Sequence, residues 1–340
     1  MKRNISIILA PFGIGGPNDA AKDGPAALMK YGIKKDLENL AFNVKIINPS
    51  RDIMHYVSRK QINKKNRIKN IESLIKVNEW LAKIVSDEIK NGSIPLTIGG
   101  DHSLAIGTIA GVAAGFSARG GPALGRKPAA TGVLWIDRHF DAHSPKNTTS
   151  WRSHGMPVSV AIADKNYDPH PDFQRLLKIG HRDGVTQSVP KIKPENLVHF
   201  GIGEKSFIKP KTKWFLMEDI DTVGINKAVN DAINYLLKRV KYIYIAWDVD
   251  ALSITGTGTH ADDQLTLREG LVIARAIYKK IFLSGRLAGF EMMEVAPRLE
   301  KTGLKGQTAS WAGQLIATSF GDNLFNNFSR MTLNINIHAE

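Results

Sequence analysis

The sequence predicts an α/β protein with three layers (α/β/α), in which helices cover both faces of a central, mostly parallel β-sheet. Two observations support this fold class. Short apolar runs that are typical of buried strands alternate with segments of helical periodicity along most of the chain. In addition, acid-rich or histidine-rich segments directly follow three of these runs, which is the pattern expected where parallel strands end at one edge of a sheet.

The first 130 residues establish the alternation. The apolar run Ser6–Ala10 is too short for a signal peptide and leads into a Gly-rich turn, so it predicts a first buried strand. Apolar residues spaced three or four apart predict the helices, and the longest of these ends at Asn91-Gly92. The predicted elements are a loop over 13–24, a helix over 25–40, a strand over 42–47, a helix over 64–89, a strand over 95–98, a helix over 104–114 and a loop over 116–130.

The remainder of the chain continues in the same way. The predicted strands are 132–137, 197–201, 213–216, 242–247 and 287–291, and the predicted helices are 226–239, 267–280 and 309–320. Without an internal repeat or a shift in composition, we expect one domain over 1–340. The Gly-, Ala- and Pro-rich loop 116–130 should emerge at the edge opposite the strands' carboxyl ends. The polar segment 321–340 is either a frayed end or an arm onto a neighbouring subunit.

Composition limits the possible chemistry. The chain contains no cysteine, so disulfides, thiolate zinc sites and cysteine nucleophiles are excluded, and nitrogen and oxygen must hold any metal. The net charge of +14 raises the question of nucleic acid, but the basic clusters at 34–35, 59–69 and 191–193 lack a nucleic-acid motif or a stacking platform. We interpret them as solvated surface. No apolar run reaches the roughly 18 residues of a membrane span, so we expect neither nucleic acid nor membrane as a partner.

Three chelating side chains follow the strand predicted over 132–137. Asp137, His139 and Asp141 occupy alternate positions, so they project from one face if the chain stays extended through Asp141. Two carboxylates held about 4 Å apart repel by roughly 4 kcal/mol at an effective dielectric near 20. A bound cation is the simplest source of compensation.

Two further segments add to this set. Asp248 and Asp250 stand two apart at another strand end, and His102 follows the strand predicted over 95–98. Alone, the histidine could belong to a helix cap and the acid pair to a turn. Together, the three segments favour a metal site of two imidazoles and four carboxylates, a set that suits two divalent cations such as manganese, iron, cobalt or nickel, with zinc not excluded.

These motifs resemble the ureohydrolase family, whose members include arginases, agmatinases and related amidinohydrolases. The resemblance covers nearly the whole chain and lies in an ordered set of short motifs. The set consists of Ala10-Pro-Phe-Gly, Gly24-Pro25, Gly99-Gly-Asp-His-Ser103, Asp137-x-His139-x-Asp141, Asp248-Val-Asp250 and Met292-Met-Glu-Val-Ala-Pro297. The resemblance implies an arginase-like fold and two Mn²⁺ per chain. One would be held by His102, Asp137, Asp141 and Asp248, and the other by Asp137, His139, Asp248 and Asp250.

The resemblance also implies roles for residues around the metals. Glu294 would pair with the substrate guanidinium and orient it for attack by a metal-activated water. Asp141 would relay a proton to the leaving amine, and His154 would exchange protons with solvent. A structural histidine beside a Gly turn is the alternative reading of His154.

Substrate preference is implied by the segment between Asp141 and Pro157, which resembles arginases more than agmatinases. Ser150 matches a hydroxyl that binds the α-carboxylate of arginine, and His143 stands where arginases usually have an asparagine with the same role. Other departures are Arg138 between two metal ligands, the segment 202–206 in place of an arginine and acids, and Ser253-Ile-Thr-Gly in place of Asp-Pro.

The resemblance therefore implies a hydrolase that converts L-arginine to L-ornithine and urea, in a homo-oligomer that is a trimer or a hexamer. We also expect a cytoplasmic location. One alternative is another amidinohydrolase, such as an agmatinase, a guanidino-acid hydrolase or a formimidoylglutamase. The other is a non-catalytic protein that keeps the fold and binds arginine or a partner.

Overall fold

The computed structural model describes residues 2–58, 64–119, 131–163, 166–180, 191–204, 210–258, 264–301, 303 and 305–322. Within them a single eight-stranded sheet is formed by β1 (Asn4–Ala10), β2 (Asn43–Ile47), β3 (Ile94–Gly99), β4 (Thr131–Ile136), β5 (Leu197–Ile202), β6 (Lys213–Leu216), β7 (Tyr242–Asp248) and β8 (Leu287–Met293). The strand order is β2-β1-β3-β8-β7-β4-β5-β6, and all neighbouring strands are parallel. The predicted parallel sheet is confirmed.

Helices connect these strands and cover the sheet. They are α1 (Gly24–Tyr31), α2 (Ile33–Asn39), α3 (Arg51–Ser58), α4 (Ile71–Lys90), α5 (Ala105–Arg119), α6 (Pro157–Ile162), α7 (Pro171–Lys178), α8 (Met217–Val223), α9 (Ile225–Leu237), α10 (Leu267–Ile277) and α11 (Gln307–Ser319). Alternate residues of β4 pack in opposite directions. Val133 and Trp135 join a core with α4, α5 and α6, whereas Leu134 and Ile136 join a core with α9, α10 and α11. Both faces are buried, which confirms the three-layer prediction.

The helix boundaries differ from prediction at three places. The helix expected over 25–40 divides at Gly32, whose φ of 108° interrupts the helical ladder. The helix expected over 64–89 begins only at Ile71, because Asn70 adopts a left-handed conformation and donates a side-chain hydrogen bond to the Ile14 carbonyl. The helix expected over 267–280 passes into a π-helical turn at Tyr278–Phe282.

Four short helices, α3, α6, α7 and α8, were not predicted from the sequence. Each has only about two turns, which give little periodicity in the sequence.

The helix that follows His102 is held tightly against α4. A Cβ on Gly107 would lie 2.5 Å from the Asn78 carbonyl oxygen, so only glycine permits this close approach. The Asn78 side chain then accepts a hydrogen bond from Gly107 N at 2.7 Å and donates one to Leu74 O at 3.0 Å. This packing fixes the start of α5, and with it the backbone that carries His102.

The predicted loop over 116–130 begins later than expected, because α5 continues to Arg119. Phe116 stacks on Tyr242 at the amino end of β7, with ring centroids 4.1 Å apart. This end of α5 therefore lies at the sheet edge opposite the strands' carboxyl ends, as predicted. Residues 120–130 and 323–340, which include most of the predicted C-terminal arm, lie outside the described residues.

The expected basic surface is confirmed only in part. Lys64 and Lys65 are exposed, but Lys191 is partly buried and donates to the Leu177 carbonyl at 3.0 Å. Burial lowers the pKa of Lys191 to about 7. In the part of the chain that is described, no helix combines the length and the apolar character needed to cross a membrane.

Candidate metal centre

Four neighbouring strands at the middle of the sheet lead into one site. In the strand order, β3, β8, β7 and β4 are adjacent, and each is followed at its carboxyl end by a segment with ionisable side chains. His102 follows β3, Glu294 follows β8, Asp248 ends β7, and Asp137 follows β4. Parallel strands bring these segments to one edge, which is where ligands bind in α/β sheets.

The first group of donors surrounds the imidazole of His102. Its Nδ1 lies 3.1 Å from Asp137 Oδ2, 3.3 Å from Asp141 Oδ2 and 3.0 Å from Asp248 Oδ2. All four side chains are buried or nearly so. Three carboxylate oxygens and one ring nitrogen therefore face a common point.

A second group lies beside the first and shares one member. Nδ1 of His139 is 3.1 Å from Asp250 Oδ2 and 3.5 Å from Asp137 Oδ1. Because the two oxygens of Asp137 face different histidines, this carboxylate belongs to both groups. Asp248 was expected to bridge as well; its Oδ2 lies beside His102, and its contribution to the second group stays a prediction.

The strand alternation that predicted this convergence is wrong in detail. The extended backbone ends at Ile136, the chain bends through 137–139, and Asp141 has a φ of 46°. Backbone hydrogen bonds hold the bent segment, including Asp137 N to Phe200 O at 3.1 Å and Gly203 N to Arg138 O at 3.0 Å. A positive φ at a residue other than glycine is uncommon and is often found at functional sites.

Asp248 and Asp250 were predicted to lie on one face of a strand, and the structure shows that they do not. Asp248 ends β7, and residues 249–251 form a 3-10 turn that carries Asp250 away from the strand. Oδ1 of Asp248 accepts a hydrogen bond from the Asp250 amide at 2.8 Å, which caps this turn. The turn thereby directs one carboxylate toward His102 and the other toward His139.

The electrostatics of the centre favour bound positive charge. Burial and the neighbouring Asp250 and Asp137 carboxylates raise the pKa of Asp248 well above its ordinary value. Burial and Asp137 raise the pKa of Asp141 to about 7. Burial alone would lower the pKa of His102 and His139, yet the surrounding carboxylates raise both above the ordinary histidine value. Divalent cations would relieve this crowding of negative charge.

The donor set fits such cations. Nδ1 and Nε2 of His102 are buried without a hydrogen-bond partner among the described residues, although Nδ1 faces three carboxylates. Mixed imidazole and carboxylate ligands suit manganese and its first-row neighbours better than calcium. The residues present are therefore compatible with a pair of metal ions that share Asp137.

A cavity of about 150 Å³ opens above these donors. Buried side chains of His102, Asp248 and Glu294 line its inner end, and the loop 148–155 lines the more exposed part. His143, Ser150 and His154, which the sequence indicated as site residues, all line this cavity. The structure thus brings every predicted site residue to one place, while their chemical roles stay predictions.

Glu294 is held in a defined position within the cavity. Its backbone φ is 63°, and its Oε1 accepts a hydrogen bond from the His102 amide at 2.9 Å. Its Oε2 has no hydrogen-bond partner among the described residues. Burial, followed by repulsion from Asp248 and Asp101, raises the pKa of Glu294 well above its ordinary value. A buried carboxyl group with one free oxygen is suited to pair with a cationic ligand.

His154 lies nearer to solvent than the metal ligands. It is partly buried, and burial lowers its pKa below the ordinary histidine value. Its imidazole is consequently neutral at neutral pH and can accept a proton, a property that a proton-exchange role requires.

Two cavity residues were missed by sequence reasoning. Arg152 is partly buried in the loop between Ser150 and His154, and its guanidinium donates a hydrogen bond to the Gly16 carbonyl. Glu204 also lines the cavity, and its carboxylate accepts a hydrogen bond from the Phe140 amide at 3.0 Å. The position of Arg152 between two indicated residues was an available signal. Glu204 was noted in the sequence only as part of a departure from the family pattern.

His199 anchors the segment that carries Asp141, and this contact predicts a pH-dependent stability. Its Nε2 lies 3.0 Å from the Phe140 carbonyl oxygen and its Nδ1 lies 2.9 Å from the Thr212 hydroxyl. Burial lowers its pKa from 6.5 to about 4. The folded protein therefore resists protonation that the unfolded chain accepts, and stability is lost as pH falls from about 6.5 to 4, by up to about 3 kcal/mol.

Urea unfolding at pH 7 and at pH 4 measures this effect. The pH-dependent loss of unfolding free energy should be smaller in His199→Asn than in the unmodified chain, whereas replacing the exposed His55 by asparagine should leave the loss unchanged. An identical loss in His199→Asn and the unmodified chain would refute the assignment.

The fold and the site define a class. The fold has three layers, with one parallel sheet between two layers of helices. Paired histidine–carboxylate groups lie at the carboxyl edge of this sheet, below a cavity. This is the arrangement of a metal-dependent α/β hydrolase. A sequence model described as the arginase family matches residues 3–321. Human Arginase-1 is 38% identical over 312 residues, which cover 88% of this chain and 87% of that protein.

Solved structures agree with this. The arginase of Bacillus caldovelox superposes with a TM-score of 0.77 at 29% identity, covering 95% of this chain and 100% of that one. A hypothetical agmatinase from Burkholderia thailandensis shares the fold, with a TM-score of 0.64 at 16% identity over 97% of this chain and 87% of that one. The chain belongs to the arginase family and is a hydrolase that acts on carbon–nitrogen bonds of linear amidines. The family predicted from the sequence is confirmed.

Proposed function

We propose that the protein is a manganese-dependent arginase that hydrolyses L-arginine to L-ornithine and urea. The observation that supports arginine over agmatine is the distribution of charge along the cavity. Its inner end is lined by buried carboxyl groups, including Glu294 and Asp248, and its outer part contains Arg152, His143 and Ser150. A guanidinium group complements the first end, and a carboxylate complements the second. Agmatine has no carboxylate to use the second end.

Two Mn²⁺ ions per chain would be held by the six side chains of the two donor groups. They are His102, Asp137, His139, Asp141, Asp248 and Asp250. The chemistry that bound divalent cations supply is activation of water as a nucleophile at neutral pH. The human relative of this chain is named Arginase-1, which supports the same reaction here.

Further roles concern the substrate and the protons of the reaction. Glu294 binds the guanidinium through its free Oε2 and holds the carbon in place for attack. Asp141 takes a proton from the attacking water and delivers it to the leaving amine. His154 exchanges protons between this site and solvent, and Ser150 and His143 bind the substrate's α-carboxylate.

We also propose that the protein is cytoplasmic and assembles into a homo-oligomer, a trimer or a hexamer. Its relatives in the arginase family are the support for this proposal. Sedimentation velocity of the manganese-loaded protein measures the assembly directly.

A substrate panel with metal quantitation tests the proposed reaction. L-arginine, agmatine, guanidino acids and formimidoylglutamate are supplied to protein loaded with Mn²⁺, and release of urea or formamide is measured. Urea from L-arginine, with two Mn²⁺ per chain, is the expected result. Urea from agmatine alone would transfer the assignment to another amidinohydrolase. Fewer than two metals with no turnover of any guanidino compound would favour a non-catalytic binding protein.

Arg152→Gln is expected to reduce arginine hydrolysis selectively. The change removes one charge-assisted hydrogen bond to the α-carboxylate, worth about 1.5–3 kcal/mol, so kcat/KM for L-arginine should fall by roughly 10- to 100-fold. Activity toward L-argininamide, whose carboxylate is replaced by a neutral amide, should change much less. Initial-rate measurements on both substrates give the comparison.

Lys146→Gln is the matched control, since it removes a positive charge from the same loop. Lys146 is exposed and hydrogen-bonds to the Tyr167 carbonyl, and it does not line the cavity. Its kinetics should match those of the unmodified enzyme. Equal losses for L-arginine and L-argininamide in Arg152→Gln would contradict the proposed carboxylate contact.

A further inference from the structure

A buried polar network lies on the side of His102 that faces away from the metal donors. Glu291, in β8, is fully buried, and its Oε2 accepts hydrogen bonds from Thr108 Oγ1 at 2.6 Å and from the Tyr244 hydroxyl at 2.9 Å. Its other oxygen, Oε1, lies 4.0 Å from Nε2 of His102. Among the described residues, neither of these two facing atoms has a hydrogen-bond partner. Two buried polar atoms without hydrogen-bond partners lower the stability of the fold unless they interact with each other.

The orientation of the imidazole determines which nitrogen carries the proton. Nδ1 faces Asp137, Asp141 and Asp248, so a neutral imidazole that offers its Nδ1 lone pair to a metal must carry hydrogen on Nε2. That hydrogen points toward the side occupied by Glu291. The indole of Trp135 stacks on the imidazole, with centroids 4.1 Å apart and planes inclined by 11°, and this restrains the ring plane.

Glu291 is itself held in place. Thr108 lies on α5, the helix that begins just after His102, and Tyr244 lies on β7, the strand that ends at Asp248. The same carboxylate therefore connects β8 to two elements that carry or adjoin metal donors.

We propose that Glu291 is a positioning residue for the metal centre: its Oε1, 4.0 Å from Nε2 of His102, favours the tautomer that carries hydrogen on Nε2 and thereby keeps Nδ1 directed at the metal donors. Partners of this kind orient metal-bound histidines and typically change metal affinity by about 10- to 100-fold when removed. The inference rests on the metal site of the proposed function, and it does not depend on which guanidino compound is the substrate.

Titration of the metal-free protein with Mn²⁺, followed by the electron paramagnetic resonance signal of free Mn²⁺, tests the inference without substrate. In Glu291→Gln, one of the two sites should weaken by about 10- to 100-fold, while the other should retain its affinity within about threefold. The site that contains His139 thus serves as an internal reference. Glu88→Gln is the matched control, because Glu88 is also a buried carboxylate but is bound by Ser6 and Lys45, away from the metal donors. Both sites should stay within about threefold of the unmodified protein.

Thermal unfolding of the metal-free variants separates positioning from folding. If Glu291→Gln does not fold, Glu291→Asp is the second variant, because it keeps the charge and withdraws it by one methylene; it should weaken the same single site. Unchanged affinity at both sites, or equal weakening of both, would overturn the inference. Selective weakening of one site in Glu291→Gln would support the inference. If the unmodified, manganese-loaded protein then released no urea from L-arginine, the proposed substrate would be rejected instead.

Discussion

Asp137→Asn is expected to prevent binding of both metal ions and to abolish hydrolysis. Asp137 is fully buried, and its two oxygens face His102 and His139, so it is the donor common to both groups. Asparagine preserves the size of the side chain but removes the negative charge. Since even residues that only orient a ligand change affinity by 10- to 100-fold, losing a shared ligand should weaken manganese binding by at least about 100-fold. Calorimetric titration with Mn²⁺ and a urea-release assay measure the two effects.

A carboxylate elsewhere in the fold provides the control. Asp172 in α7 is also fully buried and pairs with Arg67, away from the metal donors. Asp172→Asn should lower thermal stability while leaving two manganese ions bound per chain. Retention of both ions by Asp137→Asn would show that this carboxylate is not the shared ligand.

Glu294→Gln should have the second largest effect, and it should act on the substrate and not on the metals. The change leaves a substrate guanidinium in a buried site without its anionic partner. Truncating one member of a buried charge pair costs about 2–5 kcal/mol, so kcat/KM for L-arginine should fall by roughly 30- to 5,000-fold. Manganese content, measured by elemental analysis, should stay at the value of the unmodified protein.

Gly258 allows the same carboxyl group to be displaced without changing it. A Cβ on Gly258 would lie 1.8 Å from Glu294 Oε2, so Gly258→Ala must push this oxygen aside. The next atom is Cδ of the same side chain at 3.0 Å, and the nearest atom of any other described residue is the Ala21 Cβ at 3.6 Å, which is an ordinary contact. A fall in kcat/KM with an unchanged melting temperature is expected. Full activity in both Glu294→Gln and Gly258→Ala would remove Glu294 from the mechanism.

The sheet was predictable because each buried strand is a short, continuous apolar run between polar turns. β4 illustrates this, since every residue from Thr131 to Ile136 is buried and alternate side chains enter opposite cores. The helix ends were less predictable. Gly32 and Asn70 terminate helices through left-handed backbone conformations, and Asn70 is held by a contact with Ile14 that is distant in sequence. Tertiary contacts of this kind leave no periodic signal.

The convergence of the chelating side chains was predictable, but their geometry was not. Parallel strands that end at one edge of the sheet bring the chelating residues together, and this does not depend on the local backbone conformation after each strand. Strand alternation failed at Asp141 and Asp250, because a left-handed residue and a 3-10 turn direct these carboxylates. Supporting residues such as Glu291 belong to apolar strand runs in the sequence. Nothing in the sequence pattern of Glu291 distinguishes it from a core position, since its role depends on a neighbour 189 positions away that only the fold brings near.

Anomalous X-ray diffraction from crystals grown with Mn²⁺, recorded near the manganese absorption edge, tests the account most directly. Two peaks are expected. One should lie among Nδ1 of His102 and the carboxylates of Asp137, Asp141 and Asp248, and the other among Nδ1 of His139 and the carboxylates of Asp137 and Asp250. A single peak, or manganese bound away from these side chains, would contradict the account.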